Sequence, residues 1–299
     1  MSSTGGPSLC VALTIDVDPD ANRAVPGRVD AVSPGGPPGK ARYDACFQGL
    51  RMLIDLLGEQ SLHATFFWEG RALRQLAEAD GALAASIAGQ GAFEHGCHGD
   101  RHEDFPGDRS GLPLGRAEAR QAIERAGRTL QDVLGTRARG FRAPYCRLTD
   151  EVLAALADLG YVYDASLTRE PSPEWPMRPY RVGTGGRVWE LALCRCRDAR
   201  GRPMSGYLWQ LLEGRREPGE YVALVERLRE AFGGGLLQIA LHPWHLVVDQ
   251  AGAMLAGTAG RRSRERVRDV LTGIASLEAV RLVTVGGYLA SVCGRDDTH

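Results

Sequence analysis

Short apolar runs alternate with stretches of helical periodicity along almost the whole chain. Leu9 to Asp16 reads as a buried strand. Comparable apolar runs recur at His63 to Trp68, Ala92 to Cys97, Gly140 to Arg142, Tyr161 to Tyr163, Leu236 to Leu241 and Val280 to Val285. Between them, apolar residues return every three or four positions. Tyr43 to Leu57 is the clearest case, with Phe47, Leu50, Leu53, Ile54 and Leu57 on one face and Gly58 as the stop. The same period predicts helices over Arg71 to Ala79, Ala84 to Ala88, Arg116 to Leu134, Thr149 to Leu159 (with Thr149 or its neighbour as N-cap), Tyr221 to Phe232 and Ser263 to Ser276, and a short closing helix from Leu289.

Two stretches lack a period. Pro19 to Lys40 is rich in Pro and Gly and long for a connection. It reads as a lid or pocket wall at the end of the first strand, or as a disordered insertion. Pro171 to Pro218 is irregular, with a strand at Val188 to Cys194 and a Trp- and Arg-bearing segment at Tyr207 to Arg216. Strands alternating with helices predict right-handed βα units around a parallel sheet. About seven strands in a single domain spanning 1–299 suit an α/β fold of the distorted (β/α) barrel type. There, chemistry collects at the C-terminal strand ends.

Composition narrows the partners. The 36 basic and 37 acidic residues leave a net charge of −1, which gives no case for nucleic acid or an anionic membrane surface. The arginines from Arg261 to Arg268 are interleaved with acids and read as a solvated helix face. The N-terminal residues show neither a basic nor an apolar signal region, and no run of about 18 apolar residues occurs, so a cytoplasmic protein is expected. Seven cysteines without framework spacing fit reduced thiols; Cys194 and Cys196 read as alternate strand positions. A small-molecule substrate is expected, and a homo-oligomer is left open.

Candidate chemistry sits at the predicted strand ends. Asp16 and Asp18 are two apart on a strand, so they share a face, and their charges repel unless a cation or proton intervenes. His98 and His102, four apart, share a face if they lie on one helical turn. With Asp18 they form a two-His, one-carboxylate set, a common holder of a catalytic divalent metal. Asp16 is then the general base for a metal-activated water, or a further ligand. Arg142 can pair with Asp16 and keep it ionised. Pro144 restricts the following turn, where the Tyr145 N–H can act as an oxyanion donor. His242 closes a strand that reads as otherwise apolar, and is either a general acid or a structural histidine. His95 and His245 read as supporting or incidental.

These pieces, in this order, resemble the polysaccharide deacetylase superfamily, the NodB-homology fold. The resemblance rests on Thr14-Ile-Asp-Val-Asp18, Ala64-Thr-Phe-Phe67, His98-Gly-Asp-Arg-His102, Arg142-Ala-Pro-Tyr145, Tyr163-Asp-Ala-Ser-Leu167, Leu241-His242 and Val283-Thr-Val285. It implies a metal-dependent hydrolase of N-acyl or related C–N bonds. It implies Asp16 as base and Asp18, His98 and His102 as ligands of zinc, with cobalt, nickel, manganese or iron as alternatives. Arg142 would orient the base, the Tyr145 backbone would serve the oxyanion hole, and His242 would be the acid. Two departures stand out. Val17 separates aspartates that are adjacent in the common secreted members, which resembles a branch containing cytoplasmic deacetylase-like proteins and cyclic-imide or ureide hydrolases. An acid that tunes His242 is not evident; Asp198 is the candidate and Glu190 the alternative. Tyr207, Trp209, Glu213, Arg216 and Trp244 suit a closed pocket for a small polar substrate. The expectation is N-deacetylation of a small intracellular N-acetylated sugar or amino compound. Allantoinase-like ring opening is the alternative, and a non-catalytic binding module of the same fold is the remote one.

Overall fold

The computed structural model describes residues 8–19, 23–32, 39–249, 253–255 and 257–294. Its central strand is β1, Leu9–Val17, buried at every position. Alternate side chains of a strand face opposite ways. Here Leu9, Val11, Leu13, Ile15 and Val17 pack into the main core, while Cys10 and Ala12 enter a second, smaller cluster. Thr14 and Asp16 continue the second row and so share its face.

Eight further strands complete the sheet: β2 Ala64–Trp68, β3 Phe93–Cys97, β4 Gly140–Phe141, β5 Tyr163–Asp164, β6 Tyr180–Val182, β7 Val188–Glu190, β8 Leu236–Leu241 and β9 Val280–Leu282. The order is β8-β1-β2-β3-β4-β5-β7-β6, with β9 also on β1; only the β7–β6 pair is antiparallel. The free edge of β8 is covered by Gly206–Leu208, through Ala240 N–H to the Gly206 carbonyl (2.9 Å) and Leu208 N–H to the Ala240 carbonyl (2.8 Å). Gly206 permits this approach, since a Cβ there would lie 1.9 Å from the Gln238 carbonyl oxygen. The Gln238 amide also donates to the Leu191 carbonyl just after β7, drawing the two ends of the sheet together.

Register does the work of building the site. Val17 lies beside Trp68, Trp68 beside Cys97, Cys97 beside Phe141 and Phe141 beside Asp164. The next residue on each strand therefore lines up: Asp18, Glu69, His98, Arg142 and Ala165. On the other edge of β1, Ile15 pairs with Leu241, which sets His242 next to Asp16.

Among the described residues the helices longer than one turn are α1 Lys40–Glu59, α2 Gly70–Ala79, α3 Gly81–Ala88, α4 Arg116–Leu134, α5 Asp150–Leu159, α6 Pro218–Phe232, α7 Gly257–Ala275 and α8 Val285–Cys293. In α1, Tyr43, Cys46, Phe47, Leu50, Leu53 and Leu57 form the buried stripe, as the period requires. Thr149 caps α5 by accepting from Val152 N–H at 3.3 Å, a contact worth about 1 kcal/mol.

Three expectations change. The predicted strand Val188 to Cys194 divides into β7 and Leu193–Arg197, which lie in different sheets. Apolar continuity cannot show the bend at Leu191–Ala192, where Leu191 N–H goes to Asp164 and Leu193 N–H to Leu167. The closing helix starts at Val285 rather than Leu289, because the Thr284 hydroxyl caps it through Gly287 N–H at 3.0 Å, which puts Gly286 and Gly287 in its first turn. Of the predicted lid, 20–22 and 33–38 lie outside the described residues. Its described part pairs Arg23–Ala24 with Ala31–Val32 and packs on the segment after His102, through Gly27 N–H to Ser110 and Asp104 N–H to Val29.

Candidate metal centre and active site

Asp18, His98 and His102 are buried, and one donor atom from each lies within 4.8 Å of the other two. The Asp18 Oδ2 atom is 3.7 Å from His98 Nε2, 3.8 Å from His102 Nε2 and 3.6 Å from His242 Nε2. The expected helical turn is absent. Gly99 and His102 have φ of +77° and +55°, and the Gly99 and Asp100 carbonyls accept from Gly70 and Arg71 N–H at the start of α2. The loop thus caps a neighbouring helix rather than forming its own, and still brings the two rings to 5.0 Å.

The donor chemistry fits a divalent cation. His98 Nδ1–H donates to the Arg142 carbonyl at 2.8 Å, which leaves Nε2 with its lone pair towards Asp18. Burial pushes His98 down to about 4 against the upward pull of Asp16. Burial, reinforced by His98 and His242, pushes His102 well below the usual range. Two neutral imidazoles and a carboxylate are a suitable set for zinc and related ions.

Asp16 is 1 % exposed. Burial raises its carboxyl, but the Arg142 guanidinium, then His98, His242 and the Tyr207 hydroxyl, outweigh this and hold it at about 2. Arg142 Nη1 donates to Asp16 Oδ1 at 2.7 Å and to Thr14 Oγ1 at 3.1 Å; Nη2 donates to Gln238 Oε1 at 2.6 Å and Nε to the Ala165 carbonyl at 3.0 Å. The Tyr207 hydroxyl takes the other oxygen, Asp16 Oδ2. His242 Nε2 is 4.0 Å from that atom, and its side chain is 25 % exposed, the open ring of the site.

The turn after Arg142 is fixed from below: Ala143 N–H donates to Ser166 Oγ, and Ser166 donates twice to Asp164, at 2.7 Å and 2.9 Å. Tyr145 sits at φ +58°, in the left-handed region, with its ring edge-on to His102 at 4.5 Å and under the Arg109 guanidinium at 4.1 Å.

Several expected residues lie elsewhere. Tyr207 belongs to the site, but as the partner of Asp16. Trp244 borders His242, with ring centroids 5.3 Å apart. Trp209 is 44 % exposed beneath Arg215, which also pairs with Glu213. Arg216 is committed to a buried network with Asp198 (2.6 Å), Glu220 (3.1 Å) and the Pro203 carbonyl (2.7 Å), which corrects the expected pocket role of Arg216 and the expected tuning role of Asp198. Glu190, the alternative, accepts from Leu167 N–H and sits against Asp164; burial and that carboxylate hold it well above the usual range. His95 shares a face with Phe93 and Cys97, opposite to the face of His98, and accepts from Trp68 Nε1 at 3.1 Å. His245 is buried against Trp244.

Sequence reasoning missed Thr14, Gln238, Cys146 and Glu69. Gln238 carried a signal, as the one polar residue within Leu236 to Leu241. Glu69 did too, since it follows a buried strand as Asp18 and His98 do. Glu69 is fully buried, its Oε1 accepts from Arg71 at 2.8 Å, and burial, offset by Arg71 and then reinforced by Glu103, pushes its carboxyl up to about 8. The folded state then binds this proton more tightly than the unfolded state does. Stability present below the ordinary value of 4.5 therefore declines as pH rises towards about 8. Glu69→Gln is expected to shrink the stability difference between pH 5 and pH 9, read by urea unfolding at both; an undiminished difference would assign it to other groups.

The fold and site together define an α/β domain with an Asp–His–His candidate metal centre beside a carboxylate–arginine pair. A polysaccharide deacetylase family model matches residues 43–163. No curated protein matches the chain. Among solved structures, a protein from Mycobacterium smegmatis assigned to the polysaccharide deacetylases is 20% identical, with a TM-score of 0.68 over 99% of this chain and 94% of that one. The Puue allantoinase is 14% identical, with a TM-score of 0.64 over 95% and 92%. A family 4 acetyl xylan esterase from Clostridium thermocellum, in complex with a cobalt ion, is 14% identical, with a TM-score of 0.51 over 95% and 92%. The family-model match over residues 43–163 and these likenesses give the chain the fold of the polysaccharide deacetylases. Among the described residues no helix is long and apolar enough to cross a membrane.

Proposed function

We propose that the chain is a metal-dependent hydrolase that removes the acetyl group from the nitrogen of a small N-acetylated sugar or amino compound inside the cell. One observation carries this reading: the Asp18–His98–His102 group shares its centre with an ionised Asp16 and with His242. Asp18, His98 and His102 would hold one divalent ion, with zinc the first choice. Such an ion polarises the carbonyl and lowers the pKa of water. Asp16 takes the proton of the attacking water, and Arg142 keeps its carboxylate charged and oriented. The Tyr145 N–H serves as a donor to the developing oxyanion. His242, the ring open to solvent, passes a proton to the departing nitrogen.

The likeness in fold to the Puue allantoinase supports a second reading, in which the same groups open a cyclic imide or ureide. Two measurements decide. Zinc titration is expected to give one ion per chain. His98→Ala and His102→Ala should weaken binding by more than the roughly 10–100-fold typical of losing an outer-shell partner. Acetate release from a panel of N-acetyl compounds is then compared with ring opening of cyclic imides and ureides. Ring opening without acetate release would replace the first reading by the second. If the metal-loaded chain turns over neither class, the hydrolase reading fails.

A further inference from the structure

Tyr207 touches both groups to which the proposed hydrolysis assigns proton transfer. Its hydroxyl donates to Asp16 Oδ2. Its ring lies nearly parallel to the His242 imidazole, with centroids 5.8 Å apart and planes 21° apart. Arg142 occupies Asp16 Oδ1, so the two carboxylate oxygens are not equivalent. Oδ2 is the oxygen recorded 4.0 Å from His242 Nε2. An ionised carboxylate oxygen offers two lone-pair sites. The phenol fills one on Oδ2 and leaves one for an incoming proton.

The phenol is itself held in place. Cys146 Sγ lies 3.9 Å from Tyr207 Oη; with the phenol proton given to Asp16, the thiol is the donor of that pair. The backbone of Tyr207 bridges to Ala240, on the strand that ends at His242, and the Tyr221 hydroxyl donates to the Tyr207 carbonyl at 3.1 Å. Gly206 allows this close seating.

We propose that Tyr207 is a positioning residue shared by the base and the acid. Its hydroxyl fixes which lone pair of Asp16 receives the proton, and its ring fixes the plane of His242. In the step itself a water O–H bond breaks and an Asp16 Oδ2–H bond forms, while the water oxygen bonds to the acyl carbon and the C=O π pair moves onto the carbonyl oxygen as the oxyanion. Tyr207 keeps its own proton throughout. The proposal rests on the hydrolase reading for Asp16 and His242.

Two variants of the full, metal-loaded chain separate the two contacts. Tyr207→Phe removes the hydroxyl and keeps the ring, so the fold should persist. It is expected to lower kcat about 10–100-fold with KM within about twofold, the pattern of a misplaced reacting group. The His242 Hε1 resonance should stay where it is in the wild type. Tyr207→Leu removes the ring as well; kcat should fall further and that resonance should move, as the ring current is lost. An unchanged kcat in Tyr207→Phe, or a loss confined to KM, would make Tyr207 a bystander or a substrate contact and overturn the proposal. An unmoved resonance in Tyr207→Leu would overturn its second half. If the wild type shows no hydrolysis that Asp16→Asn removes, the hydrolase reading itself fails and takes this proposal with it. Hydrolysis that survives Tyr207→Phe intact would sink the proposal alone.

Discussion

Asp16→Asn is expected to reduce hydrolysis by about 10²–10⁴-fold, the usual worth of a positioned general base, while leaving metal binding in place. The amide is nearly the same size; its oxygen can still accept from Arg142, while its NH2, standing where Oδ2 was, can only donate to the Tyr207 oxygen. What it loses is the charge and the ability to take a proton. Asp18, His98 and His102 are untouched, so the bound-metal ratio should match the wild type. The same substitution acts on stability. The wild-type carboxyl is held at about 2, below its ordinary value of 3.8. A depressed acid stabilises the fold above the ordinary value, and that contribution drains away as pH falls from about 4 towards 2. Asn titrates nowhere in that window, so this acid limb should be missing from urea unfolding of the variant. At neutral pH the variant should be the less stable protein, because the Arg142 guanidinium, 0 % exposed, is left without its counter-charge. Wild-type turnover in Asp16→Asn would remove Asp16 from the chemistry, whatever happened to stability.

Much of this site was legible because strand ends are legible. An apolar run that stops at a charged or imidazole residue locates that residue at the C-terminal end of a strand, and Asp16, Asp18, His98, Arg142 and His242 all stand at or next to such an end. The order of the βα units followed from the same alternation. Two kinds of feature were not legible. The first was local conformation: the i, i+4 spacing of His98 and His102 arises in a loop with two left-handed residues, and only the tertiary demand of α2 for carbonyl acceptors explains that loop. The second was the destination of long polar side chains. Arg216 and Asp198 were given separate tasks, yet they pair with each other, because attraction between two charges a short span apart in sequence was available without the active site. Tyr207 was placed on the substrate and instead reaches Asp16. No periodicity reports where a hydroxyl six bonds from the backbone will end.

Arg142→Met is expected to destabilise the fold by about 3–5 kcal/mol, the cost of breaking a buried ion pair from one side. For a domain whose total stability is of the order of 5–15 kcal/mol, that is a third or more, so urea unfolding should show a large fall in midpoint. The guanidinium explains the size of the effect. It joins β1 through Thr14 and Asp16, β8 through Gln238 and the residue after β5 through Ala165, and it lies 4.3 Å over the Phe67 ring of β2. Methionine fills much of the volume but satisfies none of the four acceptors, and it leaves the Asp16 carboxylate buried without its closest cation. The second substitution is the decisive one. If the unpaired charge is the main cost, Arg142→Met combined with Asp16→Asn should be more stable than Arg142→Met alone, although both are inactive. If packing and the backbone acceptors dominate, the second change adds its own loss. A stabilising coupling therefore assigns Arg142 chiefly to holding a charge that the proposed hydrolysis needs and folding does not, whereas simple additivity would assign it chiefly to holding the strands of the sheet together.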